Sequence, residues 1–106
     1  MSWLYLLLAG VFEIGWPVGL KMAQQPHQRW LGIAIAVGFM CISGLLLWLA
    51  QRQIPIGTAY AIWTSIGAVG TFAIGVMYYG DPSSLARYAG VALIIAGVVT
   101  LKLSQP

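Results

Sequence analysis

The chain has 106 residues, of which 60% are hydrophobic and 7% charged, with a formal net charge of +3. Roughly a quarter of the residues in a soluble domain are charged, so this composition excludes a soluble globular domain and a disordered tail. Five scattered basic residues cannot neutralise a run of phosphates, which excludes a nucleic-acid partner. The chain is therefore expected to be an integral membrane protein in contact with the lipid bilayer.

Four segments are long and apolar enough to cross the hydrocarbon core, which takes about 20 residues in a helix. They predict helices at about residues 3–20, 30–50, 57–79 and 85–103. Strands are not expected, because the backbone groups of an open sheet would lack hydrogen-bond partners in lipid. The predicted fold class is all-α, with a single four-helix transmembrane domain over residues 1–106.

The first predicted helix carries an acidic residue, Glu13, near its middle. An ionisable side chain at this depth is costly and points to function. No basic residue within a predicted span could neutralise Glu13, so Glu13 must be protonated or must pair with a cation from outside the chain. A group that alternates between a proton and a cation has the minimal chemistry of an antiporter. The structural alternative is a Glu that hydrogen-bonds to a neighbouring helix.

The residues around Glu13 favour a binding role. Trp16 lies three positions later on the same helical face, and the small residues Ala9 and Gly10 leave room beside the carboxylate. Pro17 lacks the amide hydrogen that would bond the Glu13 carbonyl, which predicts a kink there. Trp16 could instead be ordinary packing surface.

The next two helices supply candidate partners. Ser43 on the second helix offers a hydroxyl to the carboxylate network, although it could bond its own backbone carbonyl. On the third helix, Tyr60 and Trp63 are three residues apart and Gly67 follows four later. One helical face thus carries a phenol, an indole and a point of close approach. Packing alone is the alternative for the two aromatic residues.

Residues in the last turn and in the fourth predicted helix are expected to have structural roles. Asp81 is predicted to shape the turn, and Ser83 or Ser84 to cap the fourth helix. Gly90 and Gly97 are seven residues apart on one stripe, and small residues let membrane helices pack closely. We predict a contact between two copies at this stripe. Packing within one copy is the alternative.

The distribution of basic residues gives only a weak preference for one orientation of the chain in the membrane. Lys21, Arg29 and Arg87 lie on one side of the predicted membrane, and Arg52 and Lys102 on the other. Because the positive-inside rule counts these residues, three against two predicts dual topology, in which copies insert either way. An antiparallel homodimer follows from that.

Two motifs point to a family. The first motif is GVFE at residues 10–13, followed by Trp16 and by Leu20-Lys21. The second is IPIGTAYAIWT at residues 54–64. With these motifs the whole chain resembles the small multidrug resistance family. Trp16 after the acid is most similar to the guanidinium exporter subtype of that family.

The resemblance implies an antiparallel homodimer that couples export to protons by alternating access, with Glu13 binding both proton and substrate. By position, the implied pocket residues are Trp16, Ser43, Tyr60 and Trp63, and those beside a bend or gate are Pro17, Ser65 and Gly67. The resemblance also implies a dimer contact at Gly90 and Gly97. The sequence departs from the family's pattern at Pro17, where Ala is common, at Ser65, where Gly is usual, and in a slightly longer first loop.

The expected function is export of guanidinium or a small substituted guanidinium cation from a bacterium, as a multi-pass protein of the cytoplasmic (inner) membrane. A planar guanidinium can form two parallel hydrogen bonds to a carboxylate and stack on an aromatic face. Alternatives are export of quaternary ammonium or other lipophilic cations, as in multidrug resistance, a dual-topology ion channel, and a non-transporting regulatory peptide. Pairing with a second similar chain is also open. No enzymatic activity, cofactor or metal site is expected.

Overall fold

The computed structural model describes residues 1–104, which form four long helices joined by short turns. These are α1 (Ser2–Ala23), α2 (Arg29–Ala50), α3 (Ile56–Tyr78) and α4 (Leu85–Leu103). Each helix is long and apolar enough to span a membrane, which confirms the prediction of an all-α protein with four such helices. The chain is therefore a multi-pass membrane protein.

The largest difference from the predicted bounds lies at the end of α1, which continues three residues further, to Ala23. Lys, Met and Ala are good helix formers, so the helix runs on to Ala23, three residues before Pro26. The residue before that proline, Gln25, is extended, as the proline ring requires, and a 3-10 turn at Pro26–Gln28 then leads into α2.

The four helices form a flat layer rather than a bundle. The molecule measures 49 × 35 × 16 Å, and a helix with its side chains is about 10–12 Å wide, so the layer is less than two helices thick. α1 lies between α2 and α3 and packs along both, whereas α2 and α3 touch each other little. α4 packs on α3. One copy therefore leaves the faces of its layer open.

Glycines set the close packing of α1 on α2. A Cβ on Gly19 would lie 2.7 Å from the Ala36 nitrogen and 2.8 Å from the Gly32 oxygen, so the two backbones meet directly. Four residues earlier on α1, the Phe39 ring fills the place where Gly15 would carry a side chain. Since any larger residue would push the helices apart, the sequence requires small residues at these positions.

The apolar core lies at one end of the layer, where the chain begins and where α2 turns into α3. Its fully buried members come from α1, α2, α3 and the turn, namely Leu6, Ala50, Ile54, Ala59 and Ile62. At the same end the Ser2 hydroxyl donates a 2.9 Å hydrogen bond to Gln53 Oε1.

α4 stands at the edge of the layer. The Ser84 hydroxyl accepts a 3.3 Å hydrogen bond from the Arg87 amide, so of the two predicted caps Ser84 acts. None of the described residues of α4 is buried. A Cβ on Gly90 or Gly97 would meet no atom within 4 Å among residues 1–104. The alternative that these two glycines serve packing within one copy is therefore wrong.

Basic side chains lie over aromatic rings near the helix ends, as membrane-interface belts do. The ring centroids are 4.3 to 5.8 Å away in the pairs Lys102–Trp3, Arg52–Trp48, Arg87–Phe72 and Lys21–Tyr79. Of these, the Lys102–Trp3 pair links the end of α4 to the beginning of α1.

Candidate functional site

Glu13 projects from α1 against α3 at a glycine. A Cβ on the buried Gly67 would lie 2.5 Å from Glu13 Cγ, so the glycine provides the space that the acidic side chain occupies. Glu13 is half-buried and has no ion pair or side-chain hydrogen bond within residues 1–104. The structure thus brings Glu13 and Gly67 together, and the carboxylate has no partner from its own chain.

The carboxylate borders a cavity of about 290 Å³ between α1 and α3. Its lining consists of one acidic side chain, two hydroxyls and small or apolar groups, namely Glu13, Pro17, Thr64, Gly67, Ala68 and Thr71. Pro17 lies inside α1, which continues through it as one helix, so the proline does not end the helix. Because proline has no amide hydrogen, the Glu13 carbonyl lacks its usual helical donor beside this cavity.

Ser43 joins three helices one turn away from Glu13. Its hydroxyl is fully buried, donates to the carbonyl oxygen of Ala9 at 2.8 Å and accepts from Trp63 Nε1 at 2.8 Å. The expected direct link from Ser43 to the Glu13 carboxylate is absent from the described residues, since both hydrogen bonds of the hydroxyl go elsewhere. Ser43 instead fixes the indole of Trp63 relative to the backbone of α1.

Tyr60 and Trp63 form an aromatic pair on α3. Their ring centroids are 5.3 Å apart, with the planes inclined by 47°. Trp63 is held by Ser43, whereas Tyr60 is 55% exposed on the open face of the layer. Thr64, which lines the Glu13 cavity, donates to the Tyr60 carbonyl at 2.8 Å. The two rings are not among the residues that line the Glu13 cavity, but Thr64 in its wall bonds to the turn of α3 that carries Tyr60.

Trp16 carries a donor without an acceptor. Its Nε1 is buried and finds no hydrogen-bond partner among the described residues. A buried donor left unpaired typically costs about 1–3 kcal/mol. Trp16 follows Glu13 by three residues on the same helical face, so an unpaired donor lies near an unpaired acceptor. Neither group has a hydrogen-bond partner among residues 1–104.

Other predicted residues lie apart from this cavity. Ser65 donates to the Ala61 carbonyl at 2.6 Å and lines a separate apolar cavity with Ile14 and Ile95, on the side of α4. Gly90 and Gly97 are on α4, which takes no part in the Glu13 cavity. The structure thus brings Glu13, Pro17 and Gly67 together, and places Ser65 and the two α4 glycines elsewhere.

The sequence did not single out three residues of the cavity, Ala68 and the two hydroxyl-bearing residues Thr64 and Thr71. The available signal for the two threonines was their spacing from Gly67, three residues before and four after, which places Thr64, Gly67 and Thr71 on one face of α3. Within residues 1–104, no three His, Cys, Asp or Glu side chains come together in a way that could hold a metal ion.

A family model and individual relatives both match this chain over most of its length. The family model described as Small Multidrug Resistance protein matches residues 1–94. A protein of Salmonella typhimurium strain LT2 named "Guanidinium exporter" is 46% identical over 104 residues, which cover 98% of both chains. Proteins with the same name are 43% identical in Citrobacter freundii, with 98% of both chains covered, and 42% identical in Yersinia pseudotuberculosis, with 99% of this chain and 100% of the relative covered.

Proposed function

The chain belongs to the small multidrug resistance family, and from this we propose that it is a proton-coupled antiporter that exports guanidinium or a small substituted guanidinium cation. The relatives named above are guanidinium exporters and match over the full length. The observation that carries the proposal is Glu13, a carboxylate at the middle of a membrane helix that has no basic partner in the described part of its own chain.

The groups around Glu13 fit a guanidinium cation. Its planar fork forms two parallel hydrogen bonds to a carboxylate and stacks on aromatic rings more readily than an ammonium does. Tyr60 and Trp63 offer such rings on α3, the helix whose Thr64 and Gly67 line the cavity, and Ser43 holds Trp63 in place. The unpaired Trp16 donor is available to orient the Glu13 carboxylate, which supports a site that is completed only when occupied.

The transporting unit that we propose is an antiparallel homodimer with dual topology. Three observations support it: a nearly even distribution of basic residues, the open face of the flat layer, and the uncovered glycines of α4. In such a dimer the two Glu13 side chains share one pocket, and Gly90 and Gly97 let the α4 helices of the two copies approach closely.

Coupling follows from the cost of a bare charge in lipid. The protonated dimer opens to the cytoplasm, Glu13 loses its proton and the cation takes its place. After the dimer reverses its opening, protons from outside displace the cation. An empty, unprotonated Glu13 is expensive in the membrane, so the dimer rarely reverses in that state and the two fluxes stay linked. In this scheme the dimer resides in the bacterial cytoplasmic membrane.

The test is guanidinium uptake into proteoliposomes driven by a pH gradient. Glu13→Gln keeps the size of the side chain but can neither release a proton nor balance a cation, so we expect uptake at the level of empty liposomes. Glu13→Asp keeps the carboxylate and should retain measurable uptake. Gradient-driven uptake by Glu13→Gln at the wild-type rate would rule out this mechanism.

A second candidate cargo is a quaternary ammonium or other lipophilic cation. The half-exposed Tyr60 ring on the open face of the layer favours it, because an aromatic face also attracts cations that cannot donate hydrogen bonds. Comparing guanidinium, guanylurea and a tetraalkylammonium in the same liposomes decides between the cargoes. Faster transport of the tetraalkylammonium would favour the second candidate, and flux independent of the pH gradient would indicate a channel.

A further inference from the structure

An apolar cavity of about 280 Å³ lies between α1, α3 and α4, at the end of the molecule where the chain begins. Within residues 1–104 the backbones of α1 and α4 do not approach each other, whereas α3 packs against both, so the cavity lies in the gap between α1 and α4. Its lining combines Trp3 and Lys102 with five aliphatic side chains, among them Ile62 of α3 and Val99 of α4. This cavity has no part in the Glu13 site.

The cavity suits a hydrocarbon chain better than water. A buried water molecule needs about two to four polar partners, and an apolar cavity that lacks them stays dry. The polar groups among the lining side chains are the Lys102 ammonium and the Trp3 indole nitrogen. These two residues lie together, since the ammonium is 4.3 Å from the centre of the Trp3 ring. The rest of the lining is hydrocarbon, and in a membrane the matching ligand is a lipid acyl chain.

The α4 residues of this cavity face away from the glycines at which a second copy is proposed to pack. An α-helix turns about 100° per residue, so Val98, Val99 and Lys102 lie roughly 100–160° from Gly97 around the α4 axis. Val99 and Leu103 are exposed on that side, so the cavity is accessible from the surface. In the proposed dimer it therefore opens to lipid and not to the α4 helix of the partner.

The Lys102 ammonium has no acidic side chain near it in the described part of the chain. The chain has two acidic residues, Glu13 and Asp81. Asp81 precedes α4 and Lys102 lies in its last turn, so the length of α4 separates them. Glu13 follows Trp3 by ten residues on α1, which corresponds to about 15 Å along the helix axis. A cation at the membrane surface beside an apolar cavity is complementary to a ligand with an anionic head and a hydrocarbon tail.

We propose that this cavity is a binding site for an anionic phospholipid. One acyl chain lies in the cavity, and the headgroup phosphate pairs with the Lys102 ammonium above the Trp3 ring. A zwitterionic lipid binds less tightly, because its headgroup carries an ammonium that Lys102 repels. Since α4 packs on α3 alone among the helices, a lipid seated against α1, α3 and α4 connects α4 to the rest of the layer. In the proposed antiparallel dimer, each membrane surface has one such site.

Native mass spectrometry of the full-length protein in detergent measures the affinity for the first bound lipid. Dioleoyl phosphatidylglycerol and dioleoyl phosphatidylcholine have the same chains and differ in headgroup charge. The wild type should bind the anionic lipid about fivefold more tightly, which is the contribution of one basic residue beside anionic headgroups. Lys102→Gln should bind both lipids equally, and Lys102→Arg should keep the preference. Arg87→Gln is the matched control and should behave as the wild type, since Arg87 also lies over an aromatic ring but near the other end of α4.

The hydrocarbon part of the site has its own test. Val99→Trp fills the cavity from the exposed side of α4 and should weaken the binding of both lipids at least about tenfold, which is the loss expected when two CH₂ groups are displaced. Ala96→Trp adds the same indole to α4 one turn earlier, at an exposed position outside the cavity lining. It should bind both lipids as the wild type does.

Three results would overturn the lipid site. The first is a wild type that binds the two lipids equally, and the second is an equal loss of the anionic preference in Arg87→Gln and Lys102→Gln, because any surface charge would then suffice. The third is wild-type affinity in Val99→Trp, because the chain would then lie elsewhere. Since lipid binding is measured without transport, a protein that lacks pH-driven guanidinium uptake would overturn the proposed antiport and leave this site standing.

Discussion

Two helices of this protein use glycine in opposite ways. On α3, Gly67 and Gly75 are buried, because the side chains of Glu13 and Asp81 occupy the space beside them. On α4, Gly90 and Gly97 have nothing beside them among residues 1–104. Both helices are long and apolar enough to span the membrane, so length and composition do not separate them.

The difference shows what a small residue in a membrane helix means. It marks a place where something approaches closely, but it does not say what approaches. The glycines of α3 accommodate acidic side chains of the same copy and so shape a site. The glycines of α4 leave a groove uncovered, which suits a helix of a second copy. α3 and α4 should therefore respond differently to the same kind of substitution.

The largest effect is expected on α4. Gly97→Leu places a branched side chain where the α4 helices of two copies are proposed to meet, so the dimer should dissociate and guanidinium uptake should fall to background. The oligomeric state in detergent is measured by light scattering, together with uptake in proteoliposomes. Gly38→Leu is the matched control, since Gly38 on α2 also has open space around it. A Gly97→Leu variant that remains dimeric would contradict the assignment of this face.

A smaller effect of a different kind is expected on α3. Gly67→Ala adds one methyl group 2.5 Å from Glu13 Cγ and should displace the carboxylate while the dimer persists. A displaced carboxylate binds the cation less well, and a loss of about 1.4 kcal/mol in binding corresponds to tenfold in affinity, so uptake at limiting guanidinium should fall about tenfold. Gly57→Ala, at an open position on the same helix, should transport normally. If Gly67→Ala dissociated the dimer, the proposal that α3 shapes the site while α4 forms the contact between copies would be wrong.

The smallest effect concerns stability and compares two hydroxyls. Ser43→Ala removes the buried partner of both the Ala9 carbonyl and Trp63 Nε1, and should lower the free energy of unfolding by about 1–3 kcal/mol. Thr100→Val removes a hydroxyl that bonds only within the exposed α4, and should change it by less than about 0.5 kcal/mol. Denaturation in detergent measures both. Equal losses would mean that the link among α1, α2 and α3 adds no stability.

The sequence predicted well those features that depend on one helix at a time. The four helices follow from runs of apolar residues, and Glu13 is conspicuous because a charge in lipid is costly whichever neighbour it has. The close approach at Gly67 was also predicted from its spacing to Trp63. Ser84 as a cap required only its position before α4.

The features that were missed depend on how helices face one another. Ser65 was placed near the pocket, but α3 is rotated so that it faces α4. Ser43 was expected at Glu13, but its hydroxyl is engaged by Ala9 and Trp63. Asp81 was assigned to the turn, and only the structure shows its carboxylate folded back over Gly75. Each of these contacts joins residues that are distant in the sequence or on different elements.

The sequence by itself determined that the chain spans a membrane four times and carries one acid at mid-depth, because hydrophobic length and the cost of a buried charge are local quantities. It also determined which residues share a face of the same helix, because the helical repeat is fixed. Only the tertiary structure decided which face meets which neighbour. That choice depends on the rotation of each helix about its axis, which is set by contacts such as Gly19 with Gly32 and Glu13 with Gly67.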